Sequence, residues 1–455
     1  MRTYKIIILL IFVMLSLNTA QINVQTSDGH FLAADSLEMV EDHLDSLLTQ
    51  KENLGTQYVI IDFTASNDLT LVYKESQLPI KIDTVFLTND EIIQSVEKQI
   101  LSTLLHTTPL IETEEQFNRI ITAYPFLKTQ SSIRYVRYSE MKVGAIALLH
   151  TNYDNSISGI AGAGRESESS WDITGQLDMH VENLWKTAGK VHLHWKRLNE
   201  NTQTVQFMLE EPFIFGLPFG TRLDLRQDLR EGNYVSTDIG ISALHTQPGL
   251  GTWRLGFESN TIYSTPKGDS LGISDLSSQK LALNSSSDRR NNRWAPTEGY
   301  FWNLSFGVGS QKQESEEGFI FQYKIVGGMY IPVTTGISLL SHVYGEGIYS
   351  KEVLHEGQKA RYGGMQTLRG YNEDFYATDY VIIPSFECNY SLSTNIHLNI
   401  FSECAFQADI TPIPMSYGIG YTQVTDQTVL SIQYGLSRGS KLSEGKIHLE
   451  ITNRF

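Results

Sequence analysis

Three groups of residues in this 455-residue chain have types and spacings that chemistry could use. Gly435-Leu436-Ser437-Arg438-Gly439 matches the G-x-S-x-G pattern, in which a serine nucleophile stands on a strand-to-helix turn. The residues that follow it are predicted to form another strand, so we interpret this match as a coincidence. His192 and His194 share one face of a predicted strand, but no third metal ligand is evident in the sequence. These two groups therefore predict neither a catalytic residue nor a metal site.

The third group is an arginine loop followed by two acids. Within residues 361–380, Gly363 and Gly364 permit a reversal of the chain, and Leu368-Arg369-Gly370-Tyr371 follows them. In the two strands downstream, alternation places Glu387 and Glu403 on polar faces. An arginine fork between carboxylates is a strong, orienting contact in a water-poor interior. The alternative is a surface arginine in an external loop.

This loop, together with Phe401-Ser402-Glu403-Cys404-Ala405, resembles the BamA/TamA superfamily of outer-membrane β-barrel proteins with POTRA domains. In that family the loop folds back into the barrel lumen and its arginine contacts inward acids. The resemblance therefore implies that Arg369 pairs with Glu387 and Glu403. Glu403 stands where the family usually has Asp, and Ala405 where it usually has Gly. Three weaker patterns extend the resemblance over about two-thirds of the chain: Asn183-Leu184-Trp185, Glu211 to Gly216, and Pro296 to Gly299.

Residues 150–455 are predicted to form an all-β transmembrane barrel of about 16 antiparallel strands. From about Ser156 the apolar residues recur with a period of two, as in Trp253, Leu255 and Phe257. The segments have a length near the ~9 to 11 residues that cross a tilted barrel wall. The chain ends in an alternating strand with Ile451 and Phe455, which resembles the signal by which outer-membrane barrels are themselves assembled.

Residues 79–149 are predicted to form a POTRA domain, and residues 21–78 a partial POTRA-like unit. The order strand, helix, helix, strand, strand matches the periplasmic module of the family, with a generic α+β domain as the alternative. In the first unit a helix is predicted over 37–48. In the second, Asn89-Asp90-Glu91 is predicted to cap a helix that carries Ile93, Val96, Ile100 and Leu104. Thr113-Glu114-Glu115 is predicted to open another, with an inner face of Phe117, Ile120, Ile121 and Tyr124.

Charge and targeting restrict the class of protein. The formal net charge of -16 argues against a nucleic-acid partner, because little would neutralise phosphates. Residues 1–20 have a positive start and an apolar run, which predicts a secretory signal peptide. The alternative, a membrane anchor, is disfavoured because the apolar run is too short to span a bilayer.

The resemblance implies a role in inserting outer-membrane proteins or in translocating a polypeptide, without enzymatic activity, cofactor or metal. The implied partners are outer-membrane lipid, unfolded barrel proteins or a secreted polypeptide bound by POTRA strand edges, and lipoproteins. A two-partner secretion transporter for one dedicated substrate, and a passive pore or structural barrel, stay open as alternatives. The expected location is the outer membrane, with the N-terminal region in the periplasm.

Overall fold

The computed structural model describes residues 22–25, 31–34, 42, 59–65, 70–77, 82–87, 92–104, 110–124, 126–127, 130–139, 142–151, 153, 155–167, 170–314, 316–407 and 410–455. The predicted signal peptide lies outside the described residues. So does the predicted helix over 37–48, apart from residue 42, and so does the predicted cap at Asn89-Asp90-Glu91.

Within the described residues, seven strands and two helices precede the barrel. The strands are β1 Ile22–Gln25, β2 Phe31–Ala34, β3 Val59–Ala65, β4 Thr70–Gln77, β5 Ile82–Leu87, β6 Ser132–Ser139 and β7 Lys142–Leu148, and the helices are α1 Gln94–Ile100 and α2 Leu110–Ala123. One sheet has the order β2-β1-β4-β3 and a second the order β5-β7-β6. No helix in the described part of the chain is long and apolar enough to cross a membrane.

Two details of the helices differ from the prediction. Helix α2 begins at Leu110, three residues before Thr113. Ile93, which was predicted to lie within the helix, is the N-cap residue of α1 and is 41% exposed. Val96, Ile100 and Leu104 are buried, as predicted, and so is the inner face of α2: Phe117, Ile120, Ile121 and Tyr124.

Residues 156–454 form a closed antiparallel barrel of sixteen strands, which confirms the predicted architecture. The strands are β8 Ser156–Ser167, β9 Ser170–Glu182, β10 Lys190–Asn199, β11 Thr202–Glu211, β12 Gly220–Arg230, β13 Tyr234–Gln247, β14 Gly251–Ser264, β15 Leu276–Asp288, β16 Gly299–Gln313, β17 Glu316–Thr334, β18 Ile337–Ser350, β21 Tyr380–Ser391, β22 Ile396–Cys404 with β23 Phe406–Gln407, β24 Met415–Val424, β25 Thr428–Ser437 and β26 Lys446–Arg454. β22 and β23 are one strand, interrupted where the N–H of Ala405 donates to the carbonyl of Pro414. The short strands β19 Ala360–Tyr362 and β20 Tyr376–Thr378 form a separate two-stranded hairpin that is not part of the barrel sheet.

Alternation sorts the side chains of each barrel strand between an apolar outer face and a polar inner face. On β14, Leu255 and Phe257 are 55% and 67% exposed, whereas Arg254, which lies between Trp253 and Leu255, is 9% exposed. Apolar side chains on the outer face suit lipid, and polar side chains on the inner face suit a polar lumen. The paired strands also satisfy backbone groups that would find no partner in hydrocarbon.

The strand ladders differ greatly in length around the barrel. β16 and β17 are registered over fifteen residue pairs, from Gly299↔Tyr330 to Gln313↔Glu316. β26 and β8, the last and first strands, are registered over only three pairs: Thr452↔Ser158, Asn453↔Ile157 and Arg454↔Ser156. We call this short junction the seam.

Candidate functional site

The connection between β18 and β21, residues 351–379, returns into the barrel, and we call it the lumenal loop. Its hairpin of β19 and β20 leads into a tight reversal at Gly363 and Gly364, whose φ values are +123° and +89°. These backbone angles strain any residue with a Cβ, which accounts for the glycine pair. The N–H of Gly364 donates to the carbonyl of Leu368 at 3.2 Å and so closes the reversal just before Arg369.

Leu368 anchors the loop by burial. Its side chain is fully buried, and it packs with inward residues of the wall and with residues of the hairpin. The other buried members of this cluster are Tyr344, Ala360, Tyr362, Val381, Ile383 and Ala405. Full burial of a leucine side chain contributes about 1.5–3 kcal/mol, so this contact holds the loop before any charge is considered.

Arg369 joins both predicted acids. Its Nε donates to Glu403 Oε1 at 2.6 Å, and its Nη2 donates to Glu387 Oε1 at 2.6 Å. Its backbone N–H also donates to Glu403 Oε2 at 2.8 Å. The three side chains are only 9%, 15% and 4% exposed, so these charge-assisted bonds lie in a site with little water.

The two acids and the guanidinium have further hydrogen-bond partners. Ser416 Oγ donates to Glu403 Oε2 at 2.5 Å, and Asn399 Nδ2 donates to Glu387 Oε2 at 3.1 Å. Nη1 of Arg369 reaches Gln433 Oε1 at 3.4 Å. We call Arg369, Glu387, Glu403, Phe401 and Gln433 the arginine cluster.

Phe401 belongs to this cluster, and although it is part of the motif that carries the resemblance, no contact with Arg369 was predicted for its ring. The guanidinium carbon of Arg369 lies 3.5 Å from the centroid of the Phe401 ring, which is a cation–π contact. Phe401 precedes Glu403 by two residues, so strand alternation alone places both on one face. That signal was available, but an aromatic residue on β22 is more readily assigned to the lipid side.

Glycines let the loop lie directly on the wall. A Cβ at Gly435 on β25 would stand 2.5 Å from the carbonyl oxygen of Arg369, and one at Gly370 would stand 2.6 Å from the carbonyl carbon of Leu436. Any larger residue at either position would push the backbones apart. The loop and β25 are therefore in backbone contact at the arginine cluster.

The far end of the loop is held by ion pairs with other strands. Glu373 Oε2 accepts from Lys196 Nζ on β10 at 3.0 Å, and Asp374 Oδ2 accepts from Arg230 Nη1 on β12 at 2.7 Å. Between the two ends, Tyr371 packs on the rings of Phe375 and Tyr376 at centroid distances of 5.7 and 5.4 Å. The loop therefore crosses the lumen from β21–β26 to β10–β12.

The histidines on β10 have a partner that the sequence did not reveal. His192 Nε2 and His194 Nδ1 each lie 3.0 Å from Asp178 Oδ2 on β9. The pairing follows from the β9–β10 register, in which His194 faces Asp178, and register is not legible in the sequence. Within the described ranges no group of three or more potential ligands is arranged to hold a metal ion.

Ser437, the serine of the G-x-S-x-G match, ends β25. Its Oγ lies 2.5 Å from Ser440 Oγ, and the chain continues through a short 3₁₀ turn at Leu442–Glu444 into β26. A nucleophile elbow needs a strand followed directly by a helix, and no helix follows here. The two C-terminal residues predicted as an assembly signal lie at the seam strand, with Ile451 40% and Phe455 71% exposed.

Solved structures share this fold, although neither a protein-family model nor a curated protein sequence matches the chain. BamA from Haemophilus ducreyi lacking POTRA domains 1–3 aligns with a TM-score of 0.53 at 14% identity, covering 91% of this chain and 94% of that one. CdiB from Escherichia coli aligns with a TM-score of 0.57 at 12% identity, covering 97% and 92%. CdiB from Acinetobacter baumannii aligns with a TM-score of 0.55 at 10% identity, covering 94% and 83%. At these identities the likeness establishes the fold, and it confirms the resemblance in barrel architecture.

Proposed function

We propose that this protein, a barrel with the fold of BamA and CdiB, acts in the outer membrane of a diderm bacterium. There it inserts other barrel proteins into the membrane or moves a polypeptide across it. The observation that carries this proposal is the seam: the barrel closes through three residue pairs, while its lumen is crossed by an anchored loop. Because the wall is weakly paired at the seam and the lumen is obstructed by the loop, we infer that client polypeptides are handled at the seam.

The seam supplies what a client strand needs. A strand entering lipid must pair its N–H and C=O groups at once, because each unpaired group in hydrocarbon costs several kcal/mol. β8 extends from Ser156 to Ser167, but its register with β26 covers only Ser156 to Ser158. An edge of this kind accepts another strand readily, which proteins otherwise avoid.

The N-terminal region would present clients to the barrel from the periplasm. We assign residues 79–149 to a POTRA domain and residues 21–78 to a partial one, on the order β5, α1, α2, β6, β7 in the second unit. β5 and β6 are the outer strands of its sheet, so each can add an extended client strand. Lipoproteins are the further partners we propose, and the net charge of -16 disfavours nucleic acid.

Two other functions are compatible with the same fold. One is a transporter for one dedicated secreted substrate, since a fold shared with both BamA and CdiB does not separate insertion from secretion. A passive pore is disfavoured by the lumenal loop, because a route for solutes would pass the arginine cluster. We propose no enzymatic activity and no cofactor.

Proteomics of purified outer membranes and of secreted material, before and after depletion of this protein, separates these functions. Loss of many unrelated barrels is the result we expect for an insertase. Loss of one exported protein with the barrels intact would replace that function by dedicated transport. An unchanged membrane and secretome would refute both.

A further inference from the structure

On the inner face of β26, the side chain of His448 contacts the lumenal loop. Its Nε2 lies 2.8 Å from the carbonyl oxygen of Arg369. Because a carbonyl oxygen only accepts, Nε2 must carry the hydrogen and donate it. The contact therefore joins the last strand of the barrel to the residue at the centre of the arginine cluster.

A displacement of the lumenal loop at Arg369 would be passed to the barrel wall, because this residue is bonded to several strands. Its N–H is fixed by Glu403 on β22, and its carbonyl lies against Gly435 on β25. Gln433, which accepts from its guanidinium, is the register partner of His448. Neighbouring residues on β25 and β26 thus hold the side chain and the backbone of one loop residue.

β26 has unequal support on its two edges. Its ladder with β25 has eight registered pairs, from Thr428↔Asn453 to Gly435↔Lys446, whereas the seam has three. His448 lies in the part of β26 that the seam ladder does not reach, six residues before Arg454. A bond from the loop at this point supports the strand where β8 does not.

We propose that His448 is a positioning residue that couples the lumenal loop to the seam strand. While the loop is in place, the His448 bond holds the inner face of β26 and keeps the seam closed. When the loop withdraws, β26 loses that support and opens more often. This inference rests on the proposed function, in which an opening seam is what matters.

Hydrogen–deuterium exchange on the full-length protein in detergent, without client, tests the coupling. His448→Leu keeps much of the volume and removes the donor. We expect about three- to tenfold faster exchange in peptides from both β26 and the lumenal loop, as fits the loss of one hydrogen bond. His448→Gln, which retains an N–H donor of similar reach, should restore slow exchange in both. His245→Leu, at a histidine of β13 whose Nδ1 lies 2.8 Å from the carbonyl oxygen of Pro218, serves as the matched control and should leave both regions unchanged.

Two results would overturn the proposal. One is faster exchange in only one of the two regions of the His448→Leu protein, because coupling requires both. The other is additivity. Arg369→Ala keeps the carbonyl that His448 contacts but should free the loop and so break the His448 bond. The double variant of Arg369→Ala and His448→Leu should therefore exchange in β26 no faster than Arg369→Ala alone, and faster exchange would contradict the coupling. Because no client is present, failure here leaves the proteomic test standing, and failure of that test leaves the coupling standing.

Discussion

The two ends of the lumenal loop are both held by ion pairs, yet their surroundings differ. At Arg369 the charged side chains are 4–15% exposed, and the two acids have further hydrogen bonds from Ser416 and Asn399. At the far end, Glu373 is 37% exposed and its partner Lys196 18%, and Asp374 is 27% exposed and its partner Arg230 14%. The charged groups are therefore desolvated at the Arg369 end and partly hydrated at the far end, most of all in the Lys196–Glu373 pair.

This difference decides how each end fails. Removing one partner of a buried pair leaves an uncompensated charge, which costs about 3–5 kcal/mol. An exposed pair contributes about 0–1 kcal/mol and is screened by salt. Removing charges at the Arg369 end should free the loop, whereas removing them at the far end should only loosen it.

The largest effect is expected for Arg369→Ala. It leaves Glu387 and Glu403 facing each other without a cation, so we expect the loop to open more easily by about 3–5 kcal/mol. The rate of proteinase K cleavage within residues 351–379 of the folded barrel should rise accordingly. Arg361→Ala, in the same loop, is the matched control. Wild-type resistance to cleavage in Arg369→Ala would refute the anchoring role of the cluster.

Gly435→Ala should displace the same end of the loop without changing any charge. Its Cβ would stand 2.5 Å from the Arg369 carbonyl oxygen, and forced overpacking of this kind costs about 1–3 kcal/mol. Faster amide exchange in the loop is the expected readout. At Gly240, an inward glycine of β13, the nearest atom to a Cβ would be 3.5 Å away, so Gly240→Ala should exchange as wild type. Equal behaviour of the two variants would show that close backbone contact is unimportant.

Phe401→Leu removes the ring and keeps an apolar side chain beside the guanidinium. A desolvated cation–π contact contributes about 0.5–2 kcal/mol, so exchange in the loop should rise less than in Arg369→Ala. In Phe401→Tyr, which keeps the ring, exchange should stay near that of wild type. An effect of Phe401→Leu as large as that of Arg369→Ala would assign the anchoring to the ring.

The smallest effect is expected for Lys196→Ala. Because its partner Glu373 is partly hydrated, the loss should be about 0–1 kcal/mol. The difference from wild type in proteinase K cleavage should shrink further at 1 M salt, where charges are screened over about 3 Å. Arg369→Ala should keep its difference at the same salt concentration. If the effect of Lys196→Ala did not depend on salt, the ion pairs at the two ends of the loop would be equally desolvated, which would contradict the comparison.

The parts of this molecule that follow from alternation were predictable from the sequence. A period of two places Trp253, Leu255 and Phe257 outside, and the number of alternating segments predicts about 16 strands before any pairing is known. The same rule placed Glu387 and Glu403 on polar faces, next to a loop whose glycine pair marks its reversal. Each of these inferences uses residues close together in the chain.

Features that depend on closure of the barrel were not predictable. Lys196 is separated from Glu373 by 177 residues, and only the completed ring brings them together. The Asp178 contact with His192 and His194 depends on the β9–β10 register, and the three-pair seam depends on how far β26 runs along β8. Alternation fixes the face of a side chain but not the strand opposite it.

The direction of the seam strands has a mechanical consequence. Ser156, where β8 begins, is registered with Arg454, one residue before the end of the chain. Just before this pair, the N–H of Phe455 donates to the carbonyl oxygen of Asn155 at 3.1 Å. Tension applied through the residues that precede β8 would therefore load this bond first, then Ser156↔Arg454, Ile157↔Asn453 and Ser158↔Thr452 in turn. Bonds loaded in sequence break one after another and yield at a lower force than bonds sheared together. A pull from the N-terminal side would thus open the seam one bond at a time, beginning at Asn155.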